Sequence, residues 1–569
     1  MVKPIKNNYS VQTVSDAEIK EQNLNSLIDV LDYVSGMDLR YRGTLGVQGD
    51  LSLRGSSYEQ VAVLIDGIKV MDPQTGHHNL DIPLTIFDVE RIEVMKEPGS
   101  AMYGPGALAG SVNIITKKPL KKSLNLDTLF GQNALFGQTF SLSVPDENLS
   151  ARLSFDHKVS KAARPNTDFD YNTTSLYLNR DFGNKEIDTL FGYQKKDFGA
   201  DSFYSNLFPE EEEHTETIFL RSGLNSKEDF GLLKNNVFLR KHRDKFILQR
   251  NNPTSVNYHT TYIYGLNSDL NMPLEYGNLL LGIDMGSDEI NSTNLGKHTR
   301  THEAGSIGFI PKLTDRFSAD FRARLDYYQN WDVHESVNFG AGYYIIDQEL
   351  KLKGSIARSF RIPSFTELYY SDSANIGNPN LKLEKSNNFS LGLNYSKGVA
   401  EFDLSGFYRR GTNLIDWARR TTADPWNATN LGTVNFRGIE FSSTLKPNLK
   451  LNYFNLEKII FSYNYTSADK KETGFLSKYV LDILRHQYIL DITSDLLGLN
   501  VNWQLSYNQR CYGEVYFIGN IYIGKRFAKR DFSLEPYIKI DNFSNTKYTE
   551  IAGVLQPGRW IKGGVKFEW

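Results

Sequence analysis

The sequence predicts an all-β protein: a 22-stranded antiparallel transmembrane β-barrel over residues 121–569, with residues 1–120 folded as an α+β plug domain inside its lumen. Three observations predict it. Beyond Lys121 apolar and polar residues alternate with period two. The connections between the alternating segments are short and long in turn. The two regions meet in a Gly-rich bend, Pro98–Pro119, whose Tyr103, Pro105 and Ile114–Ile115 pair do not suit a flexible linker.

The N-terminal region has mixed grammar. Ser15-Asp-Ala-Glu18 has the spacing of a capping box, which starts a helix. A second helix is expected from Ser26 to Tyr33, with Leu27, Val30, Leu31 and Val34 on one face and a stop near Gly36. Short strands follow at Leu51–Arg54, Val61–Ile65, Arg91–Met95 and Val112–Thr116, separated by turns of Gly, Asp and Pro. The glycines at 99, 104, 106 and 110 permit close backbone approach. A plug reversing against a barrel wall requires that.

Past Lys121, Phe317–Tyr327 puts Phe, Ala and Leu on one face and Ser, Asp and Arg on the other, and Leu499–Tyr507 repeats the pattern. About 22 such segments are present, with room for tilted strands of roughly 9–11 residues. Short connections fall at 146–148, 183–185, 314–316, 347–349 and 528–530; long ones at 197–214, 288–302, 359–385, 411–436 and 467–485. A meander with two unlike ends fits a membrane barrel, and a sandwich has no reason to keep the alternation. In lipid only closure pairs every edge amide, and so wide a barrel would leak unless filled.

Composition agrees. The chain is 40% hydrophobic and 13% aromatic, with 32 Tyr and 34 Phe. No window approaches the about 18 apolar residues of a membrane helix. The 64 basic and 67 acidic residues balance to −3, which argues against nucleic acid as a partner. Cys511 is the only cysteine and excludes an intrachain disulfide. The segment after Met1, VKPIKNNYSVQ, lacks the apolar run of a signal peptide. No phosphate loop, zinc-finger spacing or G-x-S-x-G element is found, so no enzyme is expected.

Several motifs together resemble the TonB-dependent outer-membrane receptor family. In the plug these are Leu51-Ser-Leu-Arg-Gly55, Val63-Leu-Ile-Asp-Gly67, Val89-Glu-Arg-Ile-Glu-Val94, Tyr103-Gly104 and Gly110–Thr116. In the barrel they are Ser359–Ser364, Gly377-Asn-Pro-Asn-Leu381, Arg437-Gly-Ile-Glu440 and the aromatic-ended Trp560–Trp569. The resemblance implies a monomer in the Gram-negative outer membrane that imports a scarce metal chelate, driven through TonB and its inner-membrane energising complex. Arg42–Gly49 and Asp72–Asp81 resemble the cobalamin (corrinoid) receptors of Bacteroidetes. Carried over, Val47 and Gln48 on one loop and Gly76, His77, His78 and Asn79 on another would face the ligand. A ferric siderophore or heme is the alternative cargo, and a surface lipoprotein a possible further partner. By the same motifs Arg54 and Lys96 would face Glu384 and Glu440 in an ionic lock between plug and barrel, the alternative being ordinary lumen charges in water. Lys96 stands where the family usually has arginine. No TonB box is found before the plug, which implies an upstream start or a form that cannot be energised. A signal-transducing receptor, the other class considered, would need a further domain there.

The remaining candidates have bland readings. Adjacent His77 and His78 diverge on an extended loop and so suit ligand contact better than metal ligation. No metal site is assigned and no permanently bound cofactor is expected. His298 and His302 are read as a solvated external loop. The run Glu210–Glu213 suits a solvated loop, with Ca²⁺ binding as the alternative. Tyr369, Tyr370, Trp417 and Trp426 suit either ligand stacking or a membrane-interface belt.

Overall fold

The computed structural model describes residues 8–161, 163–205, 207–447, 449–470, 474–479, 482–511, 513 and 515–569. The start of the segment searched for a signal peptide, and residues 471–473 and 480–481 of the connection 467–485, lie outside the described residues.

The plug forms where local signals place it. Strand β1 (Val11–Ser15) runs into helix α1 (Asp16–Glu21) through the expected box: Ser15 N–H donates to Glu18 at 2.9 Å and Glu18 N–H to Ser15 Oγ at 3.3 Å. Helix α2 (Leu27–Leu31) is capped by Ser26 and ends before Tyr33, short of the predicted stop. A hairpin of β2 (Met37–Tyr41) and β3 (Gly49–Leu53) follows. A five-stranded sheet then joins β1, β6 (Val89–Met95), β7 (Gly110–Thr116), β4 (Val61–Ile65) and β5 (Ile68–Lys69) in that order. Strand β4 is parallel to β7 and every one of its residues is buried, as a continuous apolar run requires of a strand covered on both faces.

The Gly-rich bend lies between β6 and β7. A single turn, α3 (Ser100–Tyr103), ends at Gly104, whose φ is +77°. A Cβ there would stand 3.1 Å from the guanidinium of Arg324 on the barrel wall. Asn338, also on the wall, donates to the Pro98 carbonyl at 2.5 Å. The glycine allows the reversal and the wall fixes it.

The barrel has 22 antiparallel strands, two of them interrupted, and closes where Trp560–Glu568 pairs with Ser123–Gly131. Phe317–Tyr328 shows its grammar: Phe317, Phe321 and Leu325 are exposed on the outside, while Asp320, Arg324 and Asp326 are buried facing the plug. Arg152, also inward, donates to Asp88 of the plug at 2.9 Å.

One long connection is corrected. Residues 288–302 are not a loop, because strands Gly277–Ser292 and Gly296–Pro311 stay paired to Ser292–Gly296 and leave a turn of 293–295. His298 and His302 are therefore on a strand. His302 is buried beside Asp284 at 3.1 Å, and His298 stacks on Tyr369 with ring centroids 3.7 Å apart. The extended arm is polar enough to pass for a loop in composition.

Candidate ligand cavity and plug–barrel lock

At the loop end of the barrel the plug apex and the long loops enclose a cavity of about 170 Å³. Its floor is the segment 72–81. Asn79 Oδ1 accepts from Asp72 N–H at 2.9 Å, Asn79 Nδ2 donates to the Tyr58 carbonyl at 3.3 Å, and Gly76 N–H donates to Glu59 at 2.8 Å. These bonds set a 3₁₀ turn, Gly76–His78, in place of the extended loop that would splay the imidazoles. Above it, helix α4 (Phe365–Tyr369), with its own Ser364–Glu367 capping box, rests on the apex. Phe365 and Thr366 N–H donate to the carbonyls of Pro73 and Gln74 at 2.8 and 3.0 Å.

Aromatic rings make the walls. His77 stacks on Tyr58 with centroids 4.3 Å apart and meets the edges of Tyr204 and Tyr479 at 5.7 and 6.3 Å. Tyr370 and Trp417 complete the rim. Both sit on loop segments rather than on barrel strands, so they are not belt residues. The lining is rich in acids: five carboxyl side chains, of which Glu367 is paired with Arg361, stand with one lysine, Lys478, and three histidines. Burial lowers the His77 pKa to about 4 despite Asp50, 2.7 Å from its Nδ1, so the ring is neutral at pH 7. Asp50 is buried too, but the Arg42 charge outweighs that and holds its carboxyl below the usual range. Burial, reinforced by Glu367, pushes Glu59 up to about 8. For His78, burial disfavours the charged ring, yet the facing carboxylates of Asp244 and Asp81 outweigh it and raise the pKa.

Among the residues named from sequence, His77 and His78 line the cavity. Val47 packs among Leu45, Phe198 and Phe203, its carbonyl accepting from Lys196 at 2.9 Å. Gln48 stands behind Tyr204 and donates to its hydroxyl at 2.9 Å. Gly76 and Asn79 are buried in the turn that presents the histidines.

The lock residues divide between two clusters. Arg54 makes a bidentate pair with Glu440, Nε–Oε1 at 3.0 Å and Nη2–Oε2 at 2.8 Å, and Lys96 stands 3.7 Å from the same carboxylate. Arg54 holds this pose at φ +51°, a conformation L-residues seldom adopt. Burial, with Arg54 alongside, lowers the Lys96 pKa against the pull of Glu440. Glu384 is instead taken by Arg361, by Ile415 N–H at 2.6 Å and by the plug's Gln60 at 3.1 Å. Arg361 also pairs with Glu367 at 2.8 and 2.9 Å, joining this cluster to the cavity rim.

Sequence reading missed Tyr58, Tyr204, Tyr479, Glu213 and Asp244. The solvated reading of Glu210–Glu213 is corrected: only Glu210 is exposed, while Glu211 and Glu213 are buried. Glu213 continues the inward register of Thr215, Thr217 and Phe219, so the phase of the alternation carried the signal.

Comparison with known proteins agrees with this architecture. The family model "TonB dependent receptor-like, beta-barrel" matches residues 121–546, and "TonB-dependent Receptor Plug Domain" matches residues 3–111. The vitamin B12 transporter BtuB of Vibrio vulnificus is 23% identical over 95% of this chain and 86% of its own length. The iron-regulated outer membrane virulence protein of Vibrio cholerae is 24% identical over 96% and 87%. Among solved structures, the siderophore receptor PirA from Pseudomonas aeruginosa superposes with a TM-score of 0.76 at 19% identity, covering 98% of this chain and 99% of that one. The FrpB iron transporter from Neisseria meningitidis reaches 0.82 at 16% identity, covering 99% and 100%. With its own plug inside a closed lipid-facing barrel, the chain belongs to the TonB-dependent receptor family: an outer-membrane transport receptor that works with TonB, and not an enzyme.

Proposed function

We propose that the receptor imports a corrinoid of the cobalamin type, and that the plug moves when TonB pulls on its N-terminal end. The charge of the cavity carries the choice of cargo. An anionic ferric siderophore or the propionates of heme would meet a lining with more acids than lysines, a mismatch that costs affinity. A corrinoid presents an amide-rich rim, which suits carboxylate and tyrosine partners, and an apolar edge, which suits aromatic walls. The B12 transporters among the relatives support the same reading. A cavity of about 170 Å³ takes only part of so large a ligand, so the external loops open to admit it. On the periplasmic stroke, the Arg54–Glu440 pair is one of the plug–barrel ties that have to loosen, along with Arg152–Asp88, Arg240–Asp72 and Lys196–Asp81.

Binding to detergent-solubilised protein tests the cargo. Cyanocobalamin is expected to bind saturably, while a ferric catecholate and heme bind at least about tenfold more weakly, the factor given by 1.4 kcal/mol. Equal or tighter binding of the ferric siderophore overturns the reading.

A further inference from the structure

The cavity wall holds a cluster, His78 with Glu213 and Asp244, whose acids the import reading counts only as charge. His78 projects from the plug between two barrel strands, Glu212–Glu228 and Gly231–Ile247, which supply Glu213 and Asp244. One oxygen of each carboxylate and a ring nitrogen of His78 lie within 4.8 Å of one another, all three residues buried. Lysine and arginine partners are unevenly shared there. Nearby Asp72 is paired with Arg240 at 2.5 Å and Asp81 with Lys196 at 2.8 Å, but among the described residues neither Glu213 nor Asp244 has a lysine or arginine partner. Asp244 Oδ1 is buried with no hydrogen-bond partner among the described residues, although the Asp244 side chain is only 5% exposed. Buried carboxyl groups that face an imidazole in place of a lysine or arginine suit a dication.

We propose that His78 Nε2, Glu213 and Asp244 bind a zinc-class dication that ties the plug to the barrel. His78 Nε2 stands 3.7 Å from Glu213 and 3.6 Å from Asp244. Neighbouring ligands of a tetrahedral zinc are about 3.3 Å apart, so small side-chain shifts close the site. Asp81, 3.2 Å from His78 Nδ1, orients the ring and leaves Nε2 for the metal, the usual outer-shell arrangement for a ligating histidine. An imidazole in the set selects a transition ion over Ca²⁺, whose ligands are oxygens. All three ligands line the cavity, so the fourth position opens to it and exchanges with solvent or with a donor group on an entering molecule.

The site shares Glu213 and Asp244 with the lining on which the cargo reading rests, and its test uses the metal alone so that the two readings fail separately. Full-length protein in detergent is stripped with a chelator, dialysed against Zn²⁺ or Ca²⁺, and its metal content measured. The expected result is about one Zn²⁺ per chain and no retained Ca²⁺. His78→Gln and Glu213→Gln should lose the zinc, and Asp81→Asn should weaken it by about 10–100-fold. His157→Gln, on a barrel strand facing Asp170, should keep it. Heat-modifiable gel mobility confirms that each variant is a folded barrel. If the variants do not fold, the visible spectrum of Co²⁺-loaded wild type decides: intense tetrahedral bands support the site, and a weak octahedral spectrum overturns it. Absence of zinc, equal zinc in the His78 and Glu213 variants, or retained Ca²⁺ also overturns it.

Discussion

Plug and barrel solve opposite problems with the same backbone element. Strand β4 of the plug hides Val61, Val63 and Ile65, at most 1% exposed, and its sheet has apolar residues on both faces. The barrel strand Phe317–Tyr328 leaves Leu325 57% exposed while burying its neighbours Arg324 and Asp326. Lipid replaces a packed core as the apolar solvent on the outside, so the charged side chains are those that need partners inside. The plug supplies them. Asp88 answers Arg152 and Arg54 answers Glu440. The lesson is that each region completes the other's polar accounting, and neither is satisfied alone.

That complementarity can be broken from the inside. Glu440→Ala leaves Arg54 buried without its carboxylate and is expected to destabilise the plug by about 3–5 kcal/mol. Urea unfolding followed with a plug-specific fluorophore reads this, and planar-bilayer conductance should rise as the lumen leaks. An unchanged midpoint would show that water, not Glu440, solvates Arg54. It can also be broken from the outside. Leu325→Arg places a charge in lipid and should cost about 2–4 kcal/mol near the midplane, less toward the interfaces. The measurement is folding into vesicles, where a neutral result would place this face out of the bilayer.

The smallest effect sharpens the comparison at an edge where both regions meet. Asp32 of the plug is pushed up to about 7 by burial, with Asp29 and Asp38 adding to it. Glu550, on the extramembrane hairpin Thr549–Leu555, is pushed up to about 8 by burial and then by Asp32, against the Tyr41 N–H that it accepts at 2.7 Å and the Arg510 charge. Both groups hold protons more tightly when folded than when unfolded. Their contribution is therefore complete below the ordinary carboxyl range and is lost as pH rises through about 7 to 8. The melting temperature should fall between pH 5 and pH 9, and Asp32→Asn with Glu550→Gln should flatten that slope. A slope unchanged in the double variant would assign it to other groups.

Much of this molecule was legible in its residues. The capping box at Ser15, strand Val61–Ile65 and the period-two phase of the barrel are all set by neighbours within a few positions. Helix α2 was legible in kind but not in length, because its last turn yields to the bend at Gly36, where a Cβ would meet Glu440 at 2.4 Å. The loop at 288–302 was misread because a strand that extends beyond the membrane need not be apolar on either face.

Sequence alone determined the barrel, its strand number and the presence of a plug, since alternation and turn spacing are local properties that repeat along the chain. Only the tertiary structure decided that Arg54 takes Glu440, 386 positions away, while Glu384 goes to Arg361. It also decided that Glu213 and Asp244 meet His78 in the cavity wall. Partnership of this kind depends on the stagger of the closed sheet and on how the plug is rotated within it, and a side chain's reach of a few ångströms makes either choice decisive.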